Sequence, residues 1–381
     1  MPRQHIYLDY NATAQPRPEA VEAMAEVLAT AGNPSSVHQA GRRAAAALSQ
    51  ARDRVAAFAA VPARAITFTS GATEANNMAI LGAPQTRLII SAIEHDSVRE
   101  PARRSAKPVS EVAVTGEGVI DLAALETALG ESDEPALVCV MAVNNETGVI
   151  QPIAEVARLV HDHGGTLFCD AVQAAGKIDL APITANADMA SLSAHKFGGP
   201  PGVGALIVRC DDGSRRPLVT GGGQERGLRA GTENLPGIAG FGVAAELAAR
   251  ELRQASRIVE LRDALEHAIL EAAPDAVIAG RGAPRVGNTS CIAMPGMPAE
   301  TQVMAFDLAG FAVSAGSACS SGKVRRSHVL SAMGYDDETA GAAIRVSLGW
   351  KTEADDIAAF LEEWTRQYGR AQGTASERGA A

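Results

Sequence analysis

Four short stretches of this sequence hold residue types that can do chemistry. Ser191-Leu192-Ser193-Ala194-His195-Lys196 closes an apolar run and leads into the Gly/Pro-rich segment FGGPPGVG. A lysine at the mouth of a strand is within reach of a ligand. Desolvation or nearby cations would make its amine nucleophilic; the alternative is a surface lysine beside a turn. Ser193 and His195 are able to hydrogen-bond a phosphate or to cap that turn. Cys169-Asp170-Ala171-Val172-Gln173 sets a carboxylate at the end of another apolar run, the place where open α/β sheets bind ligands. Asp170 then either pairs with a ring nitrogen or caps the next helix.

The other two stretches are loops of small residues. Ser70-Gly71-Ala72-Thr73-Glu74 follows an apolar run and opens a helical pattern. Free backbone amides, a Thr hydroxyl and the helix dipole would surround a phosphate there; taken alone, these residues read first as a plain capping box. Ser314-Ala315-Gly316-Ser317-Ala318-Cys319-Ser320-Ser321-Gly322 surrounds one thiol with small residues and no apolar periodicity. Loop texture favours a reactive Cys319 over an incidental one.

These stretches need elements to position them. AITFTS (65–70), RLIIS (87–91), ALVCVMAV (136–143), TLFCD (166–170), MASLSA (189–194) and VGALIVR (203–209) read as strands, with helical stretches such as 51–60 and 153–164 between them. This alternation predicts an α/β fold with a largely parallel sheet covered on both faces. Later the texture changes to one long helical stretch over 244–273, short apolar runs at 288–294 and 343–349, and a helix near 353–368. The expected organisation is an N-terminal segment (1–13) packing with the small domain, a large α/β domain (14–250), a smaller α+β domain (251–370) and an unstructured tail (371–381).

Composition bounds the partners. The chain has 381 residues, 46% hydrophobic and 20% charged, with a net charge of -10. An acidic chain with only short Arg pairs does not favour nucleic acid. No apolar run approaches the ~20 residues of a membrane span, and no leader is apparent at the N-terminus. Five scattered cysteines without a CxxC pair argue against a disulfide framework or a metal site and fit a reducing cytoplasm.

Taken in order, the motifs resemble one family. Tyr7-Leu8-Asp9-Tyr10-Asn11-Ala12-Thr13, Gly32-Asn33-Pro34-Ser35-Ser36, SGATE, Glu94-His95, Asn144-Asn145-Glu146-Thr147-Gly148, DAVQ, SAHK, the 222–234 run GGQERGLRAGTEN, GSACSSG and Ile344-Arg345-Val346-Ser347-Leu348-Gly349 resemble the class V aminotransferase-like pyridoxal phosphate (PLP) enzymes. Within them, GSACSSG is similar to the NifS/IscS group of cysteine desulfurases. The resemblance implies the type I PLP-dependent transferase fold, with Lys196 carrying PLP and Asp170 on its ring nitrogen. Gln173 and Asn145 would lie at the ring hydroxyl, with Asn145 also near the substrate. Ala72, Thr73, Ser193 and His195 would form the phosphate cup, and His95 would stack on the ring and move protons. It also implies Thr232 reaching the phosphate of a partner in a homodimer, Arg345 and Asn33 at the carboxylate of L-cysteine, and Cys319 as the nucleophile that takes the sulfur as a persulfide. The persulfide would pass to a protein acceptor such as an iron–sulfur cluster assembly scaffold, or toward thio-cofactor or tRNA thiolation.

The chain also departs from the pattern. Pro201 stands where the family has a lysine, Lys323-Val324-Arg325-Arg326 replaces a more acidic or neutral run, and the aromatic-ending C-terminal extension of some members is missing. Selenocysteine lyase and a serine–glyoxylate type aminotransferase are the neighbouring activities; the Cys319 loop argues against the latter, which needs no thiol. A non-enzymatic scaffold is disfavoured by Lys196, Asp170, His95, Arg345 and Cys319 standing together.

Overall fold

The structure, a computed structural model, describes residues 5–209, 213–252, 256–316 and 326–379. The first strand, β1 (Ile6–Tyr7), belongs to the C-terminal half of the molecule. The next seven are β2 (Ile66–Thr69), β3 (Arg87–Ser91), β4 (Val109–Val112), β5 (Ala136–Cys139), β6 (Thr166–Asp170), β7 (Met189–Ser193) and β8 (Gly204–Val208). They form one sheet in the order β2-β8-β7-β6-β5-β3-β4. It is parallel except for β8, which runs antiparallel to both β2 and β7.

The sheet has this form because its strands are apolar on both sides. Successive side chains point to opposite faces. Thus Val138, Leu167 and Ala190 join one buried cluster, while Leu137, Phe168 and Met189 join another. A strand buried on both faces needs helices above and below it. The helices Gln39–Phe58, Ile153–Asp162 and Leu235–Glu251 send apolar residues into the first cluster, and Ala72–Leu81 and Asp96–Arg104 send theirs into the second. Strand β4, whose residues Val109, Ser110 and Glu111 are not buried, is an edge that the apolar pattern does not announce.

The remaining strands, β9 (Val277–Ile278), β10 (Thr289–Ala293), β11 (Phe311–Ala312), β12 (Ser314–Ala315) and β13 (Ala343–Ser347), build the smaller region. β12-β13-β10-β9 is antiparallel. Its core gathers Phe306, Phe311, Phe360 and Trp364, with Phe306 and Phe360 ring centroids 4.9 Å apart. β1 pairs in parallel with β11, Asp9 bridges to Ser347, and Leu8 enters this core. The N-terminal segment therefore travels with the small sheet. A further cluster of Ile93 and Met141 with Cys291, Val329 and Leu330 packs the small sheet against the strand ends of the large one.

The stretch expected to be helical over 244–273 is helical up to Glu251 and again over Ser256–Ala272. One expectation changes. The last helix spans Ala354–Gly379, so most of the tail expected to be unstructured is helical. Its Ala, Gln, Glu and Arg residues are good helix formers, and a helix already nucleated on the core at Phe360 and Trp364 extends at low cost. Among the described residues no helix is long and apolar enough to cross a membrane.

Candidate active site

A cavity of about 540 Å³ opens where strands β6 and β7 end and the small sheet packs against them. Its lining includes Ala72, Thr73, His95, Asn145, Asp170, Gln173, Ser193, His195, Lys196 and Arg345. Ten of the residues picked out by motif thus share one chamber, although they span more than two thirds of the chain. The size lies within the ~300–1,000 Å³ usual for small-molecule sites.

The large-domain wall is a chain of hydrogen bonds. Asp170, 7% exposed, accepts from the Val172 amide at 3.0 Å and from Asn76 Nδ2 at 2.9 Å. Asn76 Nδ2 also reaches Ser97 Oγ at 2.8 Å, and Ser97 Oγ stands 2.8 Å from His95 Nδ1. The Ser97 amide donates to that same Nδ1 at 3.0 Å. Nδ1 is therefore an acceptor, and a neutral His95 carries its proton on Nε2. Asn76 and Ser97 carry no sequence signature; Asn76 looks like one more polar residue of a helix. Behind this wall Glu94 is fully buried and accepts from the Met141 amide at 2.7 Å. Burial, then the nearby Asp170 charge, pushes its carboxyl well above the usual range.

Lys196 and Gln173 meet at Asn11. Lys196 Nζ donates to the carbonyls of Asn11 (2.7 Å) and Ala12 (2.9 Å), and Gln173 Nε2 donates to the Asn11 carbonyl at 3.0 Å. Lys177 Nζ donates to Asn11 Oδ1 at 2.7 Å and to Gln173 Oε1. Burial and then the neighbouring Lys196 hold the Lys177 ammonium well below its usual pKa. Asn11 also donates from Nδ2 to Thr289 Oγ1 at 2.9 Å and to the Asn145 carbonyl at 3.1 Å. It is the hub of the chamber. It stands inside the 7–13 motif, which is the signal that could have marked it.

The Ser70–Glu74 turn forms a third wall. Gly71 sits at φ 154°, and the helix Ala72–Leu81 that follows has no side-chain hydrogen bond capping its start. A Cβ on Gly204 would come within 2.8 Å of Gly71, so this close approach of β8 requires glycine. The first-turn amides and the positive helix end are left for an anion. Burial raises the Glu74 carboxyl, but Arg229 at 2.8 Å and the Ser70 amide at 2.6 Å outweigh it and hold its pKa below the usual value. Glu74 thereby braces the turn from behind. His195 is depressed to about 4 by burial and by Lys196; its Nδ1 lies 3.1 Å from Thr13 Oγ1.

The small-domain wall carries Arg345, whose Nη2 pairs with Asp9 Oδ1 at 2.7 Å and whose Nη1 reaches the Asn145 carbonyl at 3.3 Å. Ser314 Oγ holds the other Asp9 oxygen at 2.8 Å. Arg345 Nε is buried without a hydrogen-bond partner, so the guanidinium keeps unspent capacity for an acceptor. Pro201 and Gly202 line the same chamber.

Two of the named residues lie outside this chain's chamber. Asn33 is outside the lining, and its Oδ1 accepts from the Ser35 amide at 2.9 Å in a local turn. Thr232 is exposed and also outside it. The residues beside them, Pro34, Ser35 and Glu233, share a separate groove with Arg52 and Glu225. Cys319 falls outside the described residues.

The donor set suits a planar phosphorylated ring. It offers an amine at Lys196, a carboxylate at Asp170, an imidazole at His95 and uncapped amides at Ala72 and Thr73. Comparison with known proteins agrees with this chemistry. The Aminotransferase class-V family profile matches residues 6–360. A cysteine desulfurase of Cereibacter sphaeroides is 44% identical over 370 residues, covering 94% of each chain. A cysteine desulfurase of Klebsiella pneumoniae is 42% identical, covering 93% of this chain and 90% of its own. Among solved structures, a NifS-like protein from Rickettsia africae superposes with a TM-score of 0.88 at 34% identity, over 96% of this chain and 100% of that one. SspA in complex with cysteine gives 0.76 at 30% identity, over 90% and 98%. With the profile spanning almost the whole described fold and these relatives matched nearly end to end, the chain belongs to the class-V aminotransferase family, in the company of the cysteine desulfurases.

Proposed function

We propose that this chain is a PLP-dependent cysteine desulfurase that takes sulfur from L-cysteine, releases L-alanine and leaves a persulfide on Cys319 for transfer to an acceptor. One observation carries the reading: an amine (Lys196), a carboxylate (Asp170), an imidazole (His95) and a guanidinium (Arg345) line one chamber. PLP, when bound, supplies an electron sink that weakens the bonds at the substrate's α-carbon.

The chain's own groups do the rest. Asp170, fixed by Asn76, keeps a positive ring nitrogen favourable. The helix start at Ala72 and Thr73, with Ser193 and neutral His195, holds the phosphate. Lys196 Nζ anchors the cofactor and, with His95, moves protons near the substrate. Arg345 takes the substrate carboxylate, for which a guanidinium fork is well shaped. Cys319, as thiolate, attacks the substrate sulfur. A sulfur–sulfur bond forms and the carbon–sulfur bond breaks. The electron pair stays with the substrate's β-carbon, which gains a proton and becomes the methyl group of alanine.

Thr232 and Asn33 support a homodimer in this reading. Both are absent from their own chain's chamber and lie beside one groove, which suits a face that serves the partner's site. The acceptor is a thiol-bearing sulfur carrier or an iron–sulfur scaffold. The test is a pair of variants. Cys319→Ala should keep the yellow cofactor colour and lose alanine production from cysteine. Lys196→Ala should lose turnover and the borohydride-fixed cofactor. Undiminished alanine from the first, or cofactor fixed on another lysine in the parent protein, overturns the assignment.

A further inference from the structure

Glu146 is buried, acidic and outside the lining of the chamber, so the reaction above leaves it without a task. It is only 3% exposed. Its Oε2 accepts from Ser327 Oγ at 2.5 Å. A Cβ on Gly316 would stand 2.8 Å from that same oxygen. Gly316 and Ser327 lie on either side of the stretch that contains Cys319. One carboxyl thus bonds Ser327, where the described chain resumes, and stands beside Gly316, where it leaves the small sheet.

Both ends of this contact are held firmly. Ser327 Oγ also accepts from the Leu330 amide at 3.1 Å, starting the helix His328–Ala332. Val329 and Leu330 are buried in the cluster with Ile93 and Met141. On the other side, the amides of Glu146 and Thr147 each donate to Asn144 Oδ1 at 3.0 Å, which stiffens the 144–148 turn. The carbonyl of Asn145, between them, accepts from Arg345 Nη1. Adjacent residues of one turn therefore touch the substrate-binding arginine and the flanks of the cysteine stretch.

We propose that Glu146 is a positioning residue for sulfur transfer: its carboxyl bonds Ser327 to the 144–148 turn, with Gly316 close against it, and so fixes the flanks of the Cys319 stretch relative to Arg345. This rests on the reading of Cys319 as the sulfur acceptor. It explains the glycine at 316, because a side chain there would collide with the carboxyl. It also explains a buried acid at 146, because an apolar residue would leave Ser327 Oγ without its acceptor.

The experiment uses the full-length holoenzyme and measures persulfide on Cys319 in a single turnover, by alkylation and mass spectrometry. Glu146→Ala should slow persulfide formation ~10–100-fold, the scale of a misplacement of about 1 Å between reacting groups. The lysine-linked cofactor absorbance and the KM for L-cysteine should stay as in the parent. Glu146→Gln, which keeps the shape and an acceptor oxygen, should retain most of the rate. Gly316→Ala should slow the parent but add nothing on top of Glu146→Ala, a coupling that an independent structural defect would not produce. A parent-like rate in Glu146→Ala, or an equal cost of Gly316→Ala in both backgrounds, overturns the clamp. If Glu146→Ala does not fold, Gly316→Ala with normal cofactor absorbance decides alone: a slowed persulfide step supports the clamp, and an unchanged one overturns it. Alanine production that survives Cys319→Ala would instead overturn the underlying reading of Cys319.

Discussion

Two walls of the chamber, on the large and the small domain, are built by different means. The large-domain wall is a relay of neutral groups around one carboxylate. Asn76 joins Asp170 to Ser97, and Ser97 fixes the ring of His95. The small-domain wall is built from charges taken from far along the chain. Arg345 pairs with Asp9, and Ser314 holds the other Asp9 oxygen. The first wall stands at the ends of strands in a sheet buried on both faces, so its geometry is set by the core. The second depends on the N-terminal segment, the small sheet and the 144–148 turn meeting. A fixed relay suits electrostatic tuning of a cofactor, whereas a wall built on one ion pair, its arginine keeping an open valence, suits capture of a charged substrate.

The contrast can be broken by kinetics. The largest expected effect is on the relay. Asp170→Asn should lower kcat for alanine formation by ~10²–10³-fold, as for loss of a preorganised electrostatic group, with the KM for cysteine little changed. Arg345→Lys should act in the opposite sense, raising KM by ~10–100-fold, the value of a charged hydrogen bond, with a smaller change in kcat. The same split in both variants would erase the division between the walls. Asn76→Ala frees Asp170 and Ser97 together and should reduce kcat by ~10-fold, within the range for a hydrogen bond to a charged group. The absorbance of the bound cofactor should become more sensitive to pH, and a spectrum that titrates as in the parent would argue against the relay.

A further effect is one of stability rather than rate. Burial raises Glu146 to about 7, against the pull of Ser327, Arg345 and His95, while Asp96 pushes the same way as burial. Cys291 also faces it and is itself pushed up to about 12, by burial and then by the Glu146 charge. Between the ordinary carboxylate pKa of 4.5 and about 7, the unfolded chain binds fewer protons than the folded one. Stability contributed by this group is therefore full at low pH and lost as pH rises through that window. The loss above pH 7 is roughly 3 kcal/mol, from about 1.4 kcal/mol per pKa unit. Glu146→Gln, which has no proton to lose, should raise the melting temperature more at pH 8 than at pH 5. An equal change at both values would place the carboxyl's titration elsewhere.

The motifs were legible because they are local. SGATE, DAVQ and SAHK each join a strand end to a turn, and the apolar runs before them match β2, β6 and β7 within a residue or two. Strand β4 was not legible, since an edge strand need not be apolar. Asn76, Ser97, Lys177 and Glu146 escaped notice for a related reason: a polar residue in a helix or turn looks the same whether it faces water or a carboxylate.

By itself the sequence determined which groups are available: an amine at the end of one strand, a carboxylate at the end of another, an arginine and a cysteine far downstream. Period-two and period-three-to-four patterns follow from local geometry, so they survive in one dimension. Only the tertiary structure decided what those groups do to one another. It brought Asp9 to Arg345 across 336 positions and Ser327 to Glu146 across 181. It also left Asn33 outside the chamber that its motif had suggested. Such pairings depend on how two separately folded sheets pack, and no local pattern records that.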